Sequence, residues 1–367
     1  MAESAVRSPN RATASPVWPS YGRGAIGALG FDGILATHGD ERALPIASIT
    51  KVVTALVILE KKPLDVGDNG PDIVFTADDV AIYHNDLAQD ASVVPVAAGL
   101  VLTERQAIEA ILIPSASNYA QSLAIWAFGS VEAYLHFATT WLTAHGLTQT
   151  TVVDTSGLSP LDVSSTANLV ELGKIALANP TVASIANMQQ TALPGIGIFP
   201  NTNKLLGVDG VTGIKTGSTD EAGSCLLFAK PLVTGSQTVM IVGVLLGQTT
   251  HPQLNDDIQK LLTSITENFH ELTVVAEGET FGAYSTAWGQ TATVIAAATS
   301  TVVVWSDTPI SITARARPIS LETANTEVGA AKVIIGTKTM AVPLKLAEST
   351  SDPGAWWRLI HPERLFR

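Results

Sequence analysis

The 367-residue chain has one cysteine, Cys225, which excludes an internal disulfide and says little about compartment. Cys225 lies in the apolar run Cys225-Leu226-Leu227-Phe228, a setting for a buried, inert thiol rather than a nucleophile. Basic residues are few: 21 Lys and Arg against 33 Asp and Glu leave a net charge of -12, with no Lys/Arg cluster. That argues against a nucleic-acid partner and leaves the acidity to favour solubility. Long hydrophobic runs are missing as well. Val53–Leu59 and Val239–Leu246 are the longest, and both are too short to span a bilayer. Residues 1–17 are rich in Ser, Ala, Pro and Arg and lack the apolar stretch of a signal peptide, so any signal or anchor is expected to be absent from this chain. No Gly-x-Ser-x-Gly elbow, His-Glu-x-x-His run or Cys/His pair occurs, so neither a Ser-His-Asp hydrolase nor a metal or other cofactor is expected. The seven histidines are scattered and read as surface or cap residues, with His84 able to line a cleft.

Hydrophobic residues make up 46% of the chain, enough for one large domain and a smaller one. Residues 1–15 read as a mobile tail. Gly24–Leu29 and Gly33–Thr37 flank a Gly-Phe-Asp turn and predict a hairpin. A long apolar block then follows Lys51. Residues 65–200 read mainly helical: Thr103-Glu104-Arg105-Gln106 is a capping box, and further helices are expected over 119–128, 131–145 and 167–178. From 210 to 246 the period becomes that of strands, and an amphipathic helix over 252–269 closes the domain. Strands, a helical insertion and more strands predict an α+β fold, an antiparallel sheet with helices packed on it. Beyond 270, short β-branched stretches spaced by Gly, Asp, Ser and Pro predict a small all-β module. The domain limits are thus 1–15, 16–270 and 271–367.

Three stretches carry chemistry. In Pro45-Ile46-Ala47-Ser48-Ile49-Thr50-Lys51, Pro45 marks a helix start, and Ser48 and Lys51 fall one turn apart on the same face. The lysine can take the hydroxyl proton, and the helix dipole favours the charge that develops. Alone, the spacing is as well explained by a helix start with a surface lysine. In the second stretch, Lys215-Thr216-Gly217-Ser218 ends a strand: a cation, a hydroxyl for an anion, and a glycine that lets a ligand approach the backbone. An ordinary turn is the plain alternative. In the third, Ile113-Pro114-Ser115-Ala116-Ser117-Asn118 joins two expected helices, and Ser115 alone would pass for a helix cap.

Taken together and in this order, Ser-x-x-Lys, a Ser-x-Asn-type element and Lys-Thr-Gly resemble the signature of penicillin-recognising serine acyl enzymes. From about Trp18 to Phe269 the chain resembles the D-alanyl-D-alanine carboxypeptidases, the low-molecular-mass penicillin-binding proteins of serine peptidase family S11. The matching stretches are 46–52, 112–116, Asp154-Thr155-Ser156-Gly157-Leu158-Ser159, Asn201-Thr202-Asn203-Lys204 and 210–223. The resemblance implies the penicillin-binding-protein/β-lactamase-like fold, with helices on both sides of the sheet. It implies an exported cell-envelope enzyme that removes the terminal D-Ala from peptidoglycan stem peptides and is acylated by β-lactams. Ser48, Lys51 and Ser115 would be catalytic; Lys215, Thr216, Gly217, Ser218 and Asn118 would hold the substrate. A membrane contact would need a segment absent from this chain. Two departures stand out. Ser117 occupies the place of the family's Asn, with Asn118 following, and Gln248 stands where members often carry an Arg for the substrate carboxylate. A β-lactamase of the same superfamily and a non-catalytic peptidoglycan-binding scaffold remain as alternative readings.

Overall fold

The computed structural model describes residues 4–7, 14–306, 308–336 and 338–364. It divides into two compact units. The larger comprises Pro16–Leu232 and Thr238–Ser264; the smaller comprises Val233–Gln237, Ile265 onward and the described residues up to Ser15.

The larger unit is built on a five-stranded antiparallel sheet. Its strands are β1 (Arg23–Ala28), β2 (Ala36–His38), β3 (Gly213–Thr219), β4 (Gly223–Thr234) and β5 (Gln237–Gln248), in the spatial order β3-β4-β5-β1-β2. The first two strands and the last three are far apart in sequence and meet only through the β5–β1 ladder, which pairs Val242 with Gly27 and Leu246 with Arg23. Strand β3 is left at an edge, with its backbone open on one side.

Between β2 and β3 lies the helical insertion. Helix α1 (Thr50–Lys61) is buried all round from Thr50 to Leu59, as an evenly apolar helix must be. Helix α2 (Ala77–Ala88) is closed by a Thr76/Asp79 capping box that the sequence reading passed over. Helices α3 (Glu104–Leu112), α4 (Ser117–Phe128) and α5 (Val131–Ala144) follow at the expected places, α3 with its expected capping box. Helix α6 (Thr166–Ala178) lies on the sheet, where Val170 and Lys174 pack over Gly27 of β1. Pro180, two residues past the end of α6, opens α7 (Pro180–Ala186), because its fixed φ suits a first helical position and Asn179 caps the new turn. Helix α8 (His251–Ile265) buries Leu254, Ile258, Leu261 and Ile265 along one stripe. Cys225 on β4 is fully buried, and burial pushes its thiol up to about 12.

In the smaller unit a six-stranded antiparallel sheet runs in the order Ser4–Arg7, Ile310–Ala316, Glu327–Ile335, Lys338–Leu346, Thr291–Ala296, Thr280–Ser285. A second ladder pairs Phe269–Val275 with Ser300–Trp305. Val274, Val294, Ile312, Val333 and Leu344 are among its core. Of the stretch read as a mobile tail, residues 1–3 and 8–13 lie outside the described residues, whereas Ser4–Arg7 is an edge strand on Ile310–Ala316. Such a strand takes its hydrogen bonds from a neighbour, so no local pattern announces it. Among the described residues no single helix is long and apolar enough to cross a membrane.

Candidate active site

Ser48 is the middle residue of a 3-10 turn, Ala47–Ile49, that runs directly into α1. Ala47 has φ 46°, a region an alanine adopts only under constraint from its surroundings. That constraint comes from two glycines. A Cβ on Gly217 of β3 would lie 2.9 Å from the Ile46 carbonyl and 3.2 Å from the Ser48 nitrogen. A Cβ on Gly157 would lie 1.9 Å from the Ala47 carbonyl. The bare backbones of β3 and of the 154–159 loop therefore clamp the Ser48 turn. The sequence suggested that Gly217 is a glycine so that a ligand can approach; the structure adds that no side chain fits between β3 and the Ser48 turn. Gly157→Ala, which adds a Cβ at φ 82° as well, should cost at least about 2 kcal/mol of stability. Urea denaturation checks this, and an unchanged midpoint would contradict the clamp.

Lys51 is completely buried one turn below Ser48. Its Nζ donates to Ser48 Oγ at 2.8 Å and to the Ser156 carbonyl at 2.9 Å. Burial pulls the Lys51 pKa down to about 7, against the opposing pull of Asp154, Asp86 and Asp162. The loop that supplies the Ser156 carbonyl is organised by Asp154, whose carboxylate accepts from the backbone N–H of Ser156, Gly157 and Ser159 at 2.6–2.7 Å. Asp162 in turn accepts from the N–H of Val153 at 2.5 Å. Burial and the neighbouring Asp154 raise the Asp162 carboxyl to about 8.

Lys215 on β3 is also buried, and its Nζ donates to the Thr216 carbonyl at 3.1 Å. Burial, and then the charge of Lys51, hold it well below the usual lysine range. The Lys51 depression comes from burial, with no part from Lys215, whereas Lys215 also feels Lys51. Thr216 Oγ1 meets Thr202 Oγ1 at 2.7 Å, which ties β3 to the 201–204 turn.

An open cleft of about 310 Å³ lies above these groups, and Ser48, Ser115, Thr216, Gly217 and Ser218 all line it. Five of the eight residues named from the sequence thus share one surface, and Lys51 and Lys215 are packed behind it. Ser115, at φ 68° in the α3–α4 connection, is itself 3% exposed.

Asn118 does not line the cleft, contrary to its expected place among the substrate-holding residues. Its amide is spent on Val94: Oδ1 accepts from the Val94 N–H at 3.1 Å, and Nδ2 donates to the Val94 carbonyl at 2.9 Å. With Tyr119 donating to the Pro95 carbonyl, it pins the loop that carries Ser92 to the cleft. The one-residue offset from the family spacing turns this side chain to a different face of α4. Ser117, at the family's Asn place, is buried with no hydrogen-bond partner for its hydroxyl among the described residues. Gln248 is buried at the end of β5 against Gly22 and is not a cleft residue either. His84, a candidate cleft residue in the sequence, does not line this cleft. Sequence reasoning missed three residues that do, Ser92, Pro200 and His251. None belongs to a recognisable pattern: they come from an irregular loop, the end of the short strand Gly197–Pro200 and the first turn of α8.

Comparison with solved structures places the fold. Over 92% of its length the chain superposes on penicillin binding protein 5 from Haemophilus influenzae, with a TM-score of 0.64, 17% identity and 98% of that chain covered. A peptidoglycan synthesis regulatory factor from Streptococcus pneumoniae gives a TM-score of 0.67 at 20% identity, covering 92% of this chain and all of that one. The fold is thus that of the low-molecular-mass penicillin-binding proteins, with an all-β domain at the C-terminal end. A family model described as D-alanyl-D-alanine carboxypeptidase, peptidase family S11, matches residues 32–249. The chain belongs to this family of serine hydrolases. Relatives include a D-alanyl-D-alanine endopeptidase of Escherichia coli, 26% identical over 252 residues, or 65% of this chain and 76% of the relative. A D-alanyl-D-alanine carboxypeptidase of a Streptomyces species is 26% identical over 245 residues, or 62% of this chain and 81% of that one.

Proposed function

We propose that the protein removes the terminal D-Ala from peptidoglycan stem peptides through an acyl-enzyme on Ser48, and that penicillins acylate the same hydroxyl. The observation that carries this reading is the buried Lys51 amine, 2.8 Å from Ser48 Oγ, with its pKa lowered to about 7. In its neutral form this amine accepts the hydroxyl proton as Ser48 Oγ attacks the carbonyl carbon of the penultimate D-Ala. The oxyanion is held by the backbone N–H groups of Ser48 and Ser218, which the close approach of β3 to the Ser48 turn supports. The C–N bond then breaks, and the proton passes from Lys51 by way of the Ser115 hydroxyl to the departing amine of D-Ala. Water hydrolyses the ester in the reverse sense and returns Ser48 to its free form. Thr216 and Ser218 offer hydroxyls to the substrate, and Lys215 supplies the cation beneath them. The work site is extracytoplasmic, where peptidoglycan is found.

The test is a penicillin adduct followed by D-Ala release. Mass spectrometry of the penicillin-treated protein should show a single adduct, on the peptide containing Ser48. A peptide ending in D-Ala-D-Ala should lose one D-Ala per turnover. An adduct on another residue would move the nucleophile, and no adduct with any β-lactam would favour a non-catalytic scaffold.

A further inference from the structure

A peptide that ends in a free carboxylate needs a cation or strong donor beside the site where its last residue rests. Four cationic or basic side chains border the cleft or lie beneath it: Lys51, Lys215, Lys204 and His251. Lys51 is committed to Ser48 and to the Ser156 carbonyl. The Lys215 amine is buried and turned onto the Thr216 carbonyl. Lys204 is exposed and donates back to the Asn201 carbonyl at 3.3 Å. Gln248 is buried away from the cleft, with Nε2 directed to the Leu246 carbonyl at 3.5 Å. His251, three residues further on, lines the cleft, and no hydrogen bond engages its ring among the described residues.

We propose that His251 is the specificity-determining residue of this site: its protonated ring binds the terminal carboxylate of the substrate, and acid strengthens the preference for carboxylate-ended peptides. The proposal rests on the acyl-enzyme reading of Ser48. Its placement fits, because His251 lines the same cleft as Ser48 and as the Thr216 and Ser218 residues offered to the substrate. Among charged groups it feels Lys215 from β3, and Lys204 from the 201–204 turn lines the same cleft; both are cationic when protonated. On its own helix the carboxylates are Asp256 and Asp257, the latter accepting from Tyr21 and 3.8 Å from Lys260. Burial, and then Lys215, hold the free imidazole below its ordinary 6.5. An arriving carboxylate raises it again, so binding takes up a proton and tightens as pH falls.

The experiment compares kcat/KM for an acyl-D-Ala-D-Ala peptide with that for the same peptide ending in a carboxamide, from pH 5 to pH 8. In the unaltered protein the carboxylate-to-carboxamide ratio should rise as the pH falls. In His251→Gln the ratio at pH 5 should drop about tenfold and lose its slope, as expected for removal of a charge-assisted hydrogen bond. His251→Arg should restore a high ratio at every pH. Stoichiometric acylation of Ser48 by penicillin in each variant shows that the acyl-enzyme reading and the fold stand apart from this result. A ratio in His251→Gln that keeps its size and slope overturns the proposal. So does a loss of the ratio in Lys204→Gln with none in His251→Gln.

Discussion

Ser48→Ala should abolish covalent labelling by a fluorescent penicillin and lower D-Ala release by on the order of 10⁴-fold or more. The size follows from the kind of group removed. A general base or an oxyanion donor supports a step that still occurs without it, but a covalent route has no second step once its nucleophile is gone. The substitution is also gentle on the fold. Ser48 is half-buried, its hydroxyl points to the cleft and to Lys51, and alanine suits a short 3-10 turn. Thermal unfolding should therefore change little, which separates loss of chemistry from loss of structure. Retained labelling in a folded Ser48→Ala protein would remove Ser48 from the mechanism.

The second large effect is expected at Lys51. Lys51→Gln should reduce the rate of penicillin acylation by about 10²- to 10⁴-fold, the usual range for a positioned general base. Glutamine can still donate to Ser48 Oγ or to the Ser156 carbonyl, but its amide cannot take a proton. The pH dependence adds a check. Burial lowers the Lys51 pKa to about 7, so the neutral, basic form gains as pH rises through that value. Acylation by the unaltered protein should climb between about pH 6 and pH 8 and level off above it, and the climb should be missing in Lys51→Gln. Stability follows the same titration. The folded state holds Lys51 less protonated than the unfolded chain does, so this group's unfavourable contribution shrinks as pH rises from about 7 toward the ordinary lysine value. An acylation profile flat across pH 6–8 would mean that a different group takes the proton.

Ser48, Ser115, Thr216, Gly217 and Ser218 were legible in the sequence because their spacing follows local geometry: one turn of helix, one connection between helices, one strand end. Asn118 was misplaced because a shift of one residue on a helix changes the face by about 100°. Its amide went to Val94, and through Val94 it positions a loop rather than a ligand. His251 went unnoticed because a lone histidine at the start of an amphipathic helix has no pattern of its own. What brings it to the cleft is the path of β5 into α8.

By itself, the sequence determined the α+β character, the order of most strands and helices in the larger unit (α2 and α7 excepted), and the chemical types present around the nucleophile. These depend on hydrophobic period, capping residues and turn chemistry, all of them short-range. Tertiary structure alone decided the burial of Lys51 and Lys215, the clamp of Gly157 and Gly217 on the Ser48 turn, and which of Asn118, Gln248 and His251 reaches the substrate cleft. The physical reason is non-local contact. The lysine burial and the glycine clamp depend on segments roughly 100 or more residues apart, such as the Ser156 carbonyl on Lys51 or β3 on the 46–48 backbone, and Asn118 is drawn away by Val94, 24 residues earlier. A lysine's pKa, a glycine's necessity and a side chain's reach are properties of those surroundings, and no local pattern encodes them.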